Sequence, residues 1–217
     1  MKGLFDKMLI TSYNPDALGD TLIAVVAQDE DKQTSKQTGD VVVITGASGQ
    51  LLGVNFYNVS KVLGEISARG QVFLDAEQVA KLNGALAAAG FAEQLEADAT
   101  PKFVIGVVTE FVAHPDSDHL HVTQVDLGGY TKQIICGAPN AALGQHVVAA
   151  LPGAMMPDGK IIWPGALRGV DSYGMLCSAR ELALPNAPQK RGILVLPDSV
   201  PAGTPFDFDK AASFLAK

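Results

Sequence analysis

The sequence is short of most residues that advertise chemistry. It has two cysteines, Cys136 and Cys177, and neither belongs to a Cys-x-x-Cys pair. That excludes a zinc knuckle or a dithiol redox motif and leaves two small apolar thiols, free in a reducing compartment. Long apolar runs are missing too, so no membrane span is expected. Asp6 and Lys7 interrupt the N-terminus, which lacks the apolar core of a signal peptide; a cytoplasmic protein is the expectation. There is no Gly-x-Ser-x-Gly elbow and no P-loop. Positive charge is scarce: the formal net charge is −7, the wrong sign for a deep phosphate-binding footprint. The deficit is uneven. Up to residue 101 there are seven basic residues against thirteen acidic ones, whereas from 102 to 191 the two balance at seven each. A neutral segment of that kind could still gather Lys132, Lys160, Arg168, Arg180, Lys190 and Arg191 on one face, giving modest, salt-sensitive phosphate binding. With 47 % hydrophobic residues, a packed core is expected.

Periodicity divides the chain. Short β-branched and aromatic runs at Met8–Tyr13, Thr21–Ala27, Val41–Thr45 and Leu52–Val59 read as strands, separated by Asn14-Pro15-Asp16 and by the polar run Gln28–Asp40. A helix follows, with Asp75 as N-cap and Gln78 as its capping-box partner. Val79, Leu82, Leu86 and Ala89 lie on one face, and Gly90 is the stop. The stretch 92–101 is polar, closes on Pro101 and reads as a linker. Beyond it nearly everything reads as strand and turn: Phe103–Val112, Leu120–Leu127, Lys132–Cys136, His146–Leu151 and Gly192–Leu196. The apolar phase of Leu120–Leu127 slips midway, which predicts a bulge there. The expected architecture is an α+β N-terminal domain (1–91), a linker (92–101), an all-β barrel (102–204) and a C-terminal tail (205–217).

Val41–Gly49 imitates the first strand and glycine turn of a short-chain dehydrogenase, and Tyr57-Asn58-Val59-Ser60-Lys61 has the Tyr-x-x-x-Lys spacing. A dinucleotide site needs a helix opening directly after the glycines. Here Leu51–Tyr57 reads as strand, so a hairpin is expected instead.

Four segments in fixed order carry more weight: His114-Pro115-Asp116-Ser117-Asp118-His119-Leu120; Gln133–Asn140; Ala150-Leu151-Pro152-Gly153-Ala154; and Leu167–Ser178. Together they resemble the tRNA-binding domain of bacterial phenylalanyl-tRNA synthetase beta subunits. The whole chain, with its separate N-terminal domain and no synthetase body, is similar to the free-standing YtpR family of tRNA-binding proteins. The motifs cover about residues 102–200; over 1–90 the likeness rests on length and arrangement. The resemblance implies an OB-fold barrel, no catalytic activity, no cofactor and tRNA as ligand, with Ser172-Tyr173-Gly174-Met175 at the RNA-contacting surface. The chain departs from the family pattern at Lys160–Ala166, which holds one lysine and Trp163 where relatives carry several lysines.

The residues expected to meet RNA are Lys132, Lys160, Arg168 and Arg180 at phosphates, with Asn140, Ser172, Met175 and Ser178 in close contact. Each has a plainer alternative. Ser172–Met175 could be a tight turn with Met175 in the core, and Asn140 a turn residue. Arg168 and Arg180 could pair with Asp171 or Glu181, and Trp163 could be a barrel or interface residue rather than a stacking group. His114, Asp116, Asp118, His119 and His121 contain metal-ligand types, but Pro115 and Asp116-Ser117-Asp118 read as a turn and no metal is expected. The competing function is a barrel that has lost RNA and serves protein interaction or homodimerisation, favoured by the acidic balance and by Ile161-Ile162-Trp163.

Overall fold

The computed structural model describes residues 8–211; the leader reading at 1–7 and the end of the tail at 212–217 lie outside them. The chain divides into two compact units between Thr100 and Pro101. Among the described residues no helix is long and apolar enough to cross a membrane.

The N-terminal unit runs β1 (Ile10–Tyr13), α1 (Pro15–Leu18), β2 (Thr21–Val25), β3 (Gln33–Thr38), β4 (Val41–Gly46), β5 (Leu51–Tyr57), α2 (Ser60–Leu63), β6 (Gly70–Val72) and α3 (Ala76–Ala88). Its sheet is antiparallel in the order β3-β4-β5-β2-β1-β6. Alternate residues, among them Leu22, Ala24, Val41, Val43, Val54 and Phe56, share one core with Val79, Leu82 and Leu86 of α3. The capping box of Asp75 and Gln78 opens α3. At its other end the Phe91 amide donates to Leu86 and the Gly90 amide to Ala87, a Schellman closure. β4 turns through Gly46–Gln50 straight into β5, so a strand follows the glycines and no helix N-terminus is there to face a pyrophosphate.

Two readings are corrected here. The polar run Gln28–Asp40 contains β3, all six of whose residues are exposed; it is held to β4 by the backbone ladder and a Thr34–Thr45 hydroxyl contact at 3.1 Å rather than by apolar burial. The stretch 92–101 has no helix or strand, but its first half is anchored. Leu95 is buried in the N-terminal core, and the Asn83 side chain bonds both its N–H and its C=O, at 2.8 and 2.9 Å.

The C-terminal unit contains β7 (Phe103–Ala113), β8 (His121–Asp126), β9 (Thr131–Cys136), β10 (His146–Ala150), β11 (Gly165–Leu167), β12 (Val170–Ser172), β13 (Met175–Leu176) and β14 (Val195–Leu196). The main sheet has the order β13-β10-β7-β8-β9, with β14 also on β10; β11 and β12 form a separate hairpin. β7 is the spine. Its first half pairs with β10 and its second with β8. Both faces of β10 and of the first half of β7 are buried. Val104, Val147 and Ala149 join Val125, Leu127 and Ile134 in one cluster, while Ile105, Val148 and Ala150 join Ile162, Leu182, Leu194 and Phe206 in another. Burial on two faces explains why His146–Leu151 is apolar without alternation.

The bulge expected in the Leu120–Leu127 run sits on its partner. The register shifts on β7 between Val108 and Glu110, while Thr123, Val125 and Leu127 keep one inward phase on β8. Residues 205–211 are not a free tail either: the Phe206 ring is buried in the core and its amide donates to Phe103.

In the N-terminal unit, Asp20 ties β2 to α2. Its carboxylate accepts from the Ser60 hydroxyl at 2.6 Å, from the Ser60 amide and from the Tyr13 hydroxyl. The Ser60 hydroxyl, above all, holds the Asp20 carboxyl below the usual carboxylate range. A folded-state pKa below the unfolded one contributes stability above the unfolded value, about 3.9, which is lost as pH falls through the folded value. Urea midpoints of this unit should therefore drop between neutral pH and pH about 3, and Ser60→Ala should shrink that drop. An acid dependence unaltered by Ser60→Ala would remove Asp20 from the explanation.

Candidate nucleic-acid interface

The segment 172–176 threads between β9 and β10. On the β9 side the Tyr173 amide donates to Gln133 at 2.8 Å, and the Ser172 hydroxyl accepts from the Ile135 amide at 3.1 Å while donating to the Gly174 carbonyl. On the other side Met175 and Leu176 pair with Ala150 and Ala149. Gly174 sits at φ +149°, and a Cβ there would lie 2.7 Å from the Ala150 carbonyl oxygen. The close approach this glycine permits is thus to its own sheet rather than to a ligand. Ser172 is 4 % exposed. The expectation that Ser172 makes a close RNA contact is corrected: its hydroxyl is a backbone clasp. Met175 falls between its two readings, half-buried against the core and open to a hollow on the other side.

Asn140 and Ser178 lie at the surface hollows with their polar groups already engaged. The Asn140 amide accepts from the Ile193 N–H at 2.8 Å and donates to its carbonyl at 2.9 Å. Gly192, at φ +143°, makes room, since a Cβ there would come within 2.6 Å of the Asn140 oxygen. The Ser178 hydroxyl donates to the Glu181 carboxylate and accepts from the Glu181 amide, while the carboxylate also takes the Ser178 N–H. This is a capping box heading a single turn.

These bonds hold three adjoining hollows in place. One, of about 250 Å³, is lined by Asn140, Ser178, Arg180, Lys190 and Arg191. A second, of about 260 Å³, takes in Pro139, Met175, Arg180, Glu181 and Arg191. A third, of about 470 Å³, is lined by Phe111, His119, His121, Pro139 and Arg191. Arg191 borders all three. Arg180, Lys190 and Arg191 are exposed, and none has an ion-pair partner among the described residues. Arg191 was legible only as one of six cations; its central position comes from Gly192 and the Asn140–Ile193 bond. His121 and Phe111 gave no signal in the sequence beyond their residue types.

Lys132, Lys160 and Arg168 line none of these hollows. Lys132 lies 6.0 Å from the Tyr130 ring and 5.8 Å from the Tyr173 ring. Lys160 is on an exposed turn closed by Asp158. Arg168, at φ +46°, forms with Gly169 the tip of the β11–β12 hairpin, and its guanidinium donates to the Asp116 carbonyl. His114 fixes the same junction. Its Nδ1 accepts from the Asp116 amide at 3.0 Å, which assigns the proton to Nε2, 3.1 Å from the Leu167 carbonyl. Both nitrogens are therefore committed, and neither is available to a metal. His119 pairs with Asp118, and this contact, with a smaller contribution from Arg168, keeps the Asp118 carboxyl below its ordinary value. Trp163 is half-buried. Burial pushes the Cys177 thiol up to about 12 and raises Cys136 as well, so neither is a thiolate nucleophile at neutral pH.

If Ser172 is a clasp, Ser172→Ala leaves the Ile135 amide buried without an acceptor, and should cost about 1–3 kcal/mol in urea denaturation. Full stability in that variant would show the hydroxyl to be dispensable to the fold.

Comparison with known proteins divides the chain in the same place. The family model "Domain of unknown function (DUF4479)" matches residues 28–98, and "Putative tRNA binding domain" matches 103–205. A "Putative tRNA-binding protein YtpR" from Bacillus subtilis is 42 % identical over 198 residues, covering 90 % of this chain and 98 % of that protein. The phenylalanine–tRNA ligase beta subunit of Sulfurimonas denitrificans is 50 % identical over 99 residues, which is 46 % of this chain but 12 % of the subunit. Among solved structures, a MetRS related protein from Pyrococcus horikoshii aligns with 46 % of this chain and 84 % of its own at 20 % identity and a TM-score of 0.35, too slight a likeness to place the fold. Near-full-length identity to the Bacillus protein, joined to the two domain matches, settles the family: this chain belongs to the YtpR family.

Proposed function

We propose that this protein binds tRNA without catalysing a reaction, through the cationic hollows around Arg191 on its C-terminal unit. The observation that carries the reading is the convergence of Arg180, Lys190 and Arg191, without carboxylate partners among the described residues, on one set of connected concavities. Guanidinium groups on an exposed rim are suited to phosphate oxygens, and backbone contact of this kind reads shape more than sequence. The name of the Bacillus relative and the description of the matching C-terminal domain point to the same ligand.

The reading includes an OB barrel in which the 172–176 segment closes the gap between β9 and β10, supported by bonds to both strands. The barrel domain extends from about residue 102 through the buried Phe206, and the protein works in the cytoplasm. Met175 meets the RNA from the floor of the second hollow, while Asn140 and Ser178 build the walls. Lys132, Lys160 and Arg168 lie outside this patch and would act as peripheral phosphate contacts.

Filter binding of a tRNA transcript at two salt concentrations tests the proposal. Affinity should fall as salt rises. The double variant Arg180→Ala/Arg191→Ala should weaken binding to different tRNAs about equally and lower the salt slope by about two. No binding at low salt would end the tRNA reading; an unchanged slope in the double variant would move the phosphate contacts away from Arg191.

A further inference from the structure

The third hollow differs from the two cationic ones. Phe111 near the end of β7 and His121 at the start of β8 stack face to face, with ring centroids 4.1 Å apart and planes 18° from parallel. Pro139 adds an apolar surface, and Arg191 stands at the border shared with the cationic hollows. His121 Nδ1 is buried and has no hydrogen-bond partner. That nitrogen is sealed from solvent, so what the ring offers to the open hollow of about 470 Å³ is aromatic surface.

The chemistry that answers all of these features at once is a nucleobase. It has a flat face to lie against aromatic and proline surfaces, and a phosphate one sugar away for a neighbouring guanidinium. A base inside a continuous helix has both faces covered and its edge paired, so only an unstacked nucleotide would fit.

We propose that the hollow bounded by Phe111, His121, Pro139 and Arg191 is a base pocket that receives one unstacked nucleotide, its base laid against the Phe111–His121 pair and its phosphate held by Arg191. The proposal rests on the RNA-binding reading of the adjoining rim and sharpens it. The preferred RNA carries a nucleotide free of the helix, in a loop, a bulge or an overhanging end, beside a phosphate run that the cations track.

The test uses the full chain and three probes at low salt: a tRNA transcript, a blunt RNA duplex, and the same duplex with a two-nucleotide 3′ overhang. The wild type should bind the overhang duplex about tenfold more tightly than the blunt one, the scale of one base–aromatic stack. In His121→Ala, which removes the ring stacked on Phe111, the overhang-to-blunt ratio should fall toward one, and His121→Phe, which keeps an aromatic ring there, should retain the preference. Should the alanine variant fail to fold, 2-aminopurine placed in the overhang reports directly on the wild type, its emission falling as the base enters the slot. Equal affinity for the two duplexes, a full preference retained by folded His121→Ala, or unchanged 2-aminopurine emission on binding would each overturn the base pocket. If the tRNA transcript binds while any of these holds, only the pocket is lost; if neither tRNA nor duplex binds, the RNA reading falls with it.

Discussion

The C-terminal unit depends on how the outer edge of β9 is satisfied. A sheet edge presents a row of N–H and C=O groups that must find partners or water. Here the chain returns after the β11–β12 hairpin and supplies them, the Tyr173 amide to Gln133 and the Ser172 hydroxyl to the Ile135 amide. The hydroxyl takes over where the returning backbone has turned toward β10, with Gly174 passing close over the Ala150 carbonyl. Everything downstream inherits that position. Met175 emerges beside β10, Ser178 starts its capped turn, and Arg180 is delivered to the rim.

The parts of the fold that bury one face were legible in the sequence. α3 declared itself by its capping box and by Val79, Leu82 and Leu86, and the β4–β5 hairpin by strand patterning on both sides of its glycines. β3 was not legible: Gln33–Thr38 buries neither face, so no apolar period marks it and only its pairing with β4 makes it a strand. The bulge was anticipated on the wrong partner. A phase slip in one strand shows that two strands are out of step, and packing decides which of them carries the extra residue. The site was half legible. Ser172, Asn140 and Ser178 were picked out for their polar groups, yet short polar side chains often bond nearby backbone, and these three do so. The Ser178-x-x-Glu181 spacing was itself a readable sign of that fate. Arg191 and His121 could not be ranked from sequence, because their neighbours come from segments some fifty and ten residues away.

Electrostatics explain how a segment with balanced charge can still present a positive rim. Several carboxylates of the C-terminal unit lie against local donors: Glu181 against Ser178, Asp118 against His119, Asp126 against the Gly128 amide, Asp158 against the Lys160 amide. Those dipoles and the His119 contact offset part of the negative field where it arises. Arg180, Lys190 and Arg191 receive no such compensation among the described residues, and they share one concave surface, where field lines concentrate. Summed charge is therefore a poor guide to the potential that an approaching polyanion meets.

The paired hydrogen bonds between the Asn140 amide and Ile193 have a kinetic consequence. They splint the 137–140 loop to the strand-like segment opposite, so the concavity exists before any ligand arrives. A preorganised receptor spends little free energy on ordering itself, and association is then set by encounter and orientation, without a slow conformational step. An RNA partner would thus load without waiting for the hollow to form.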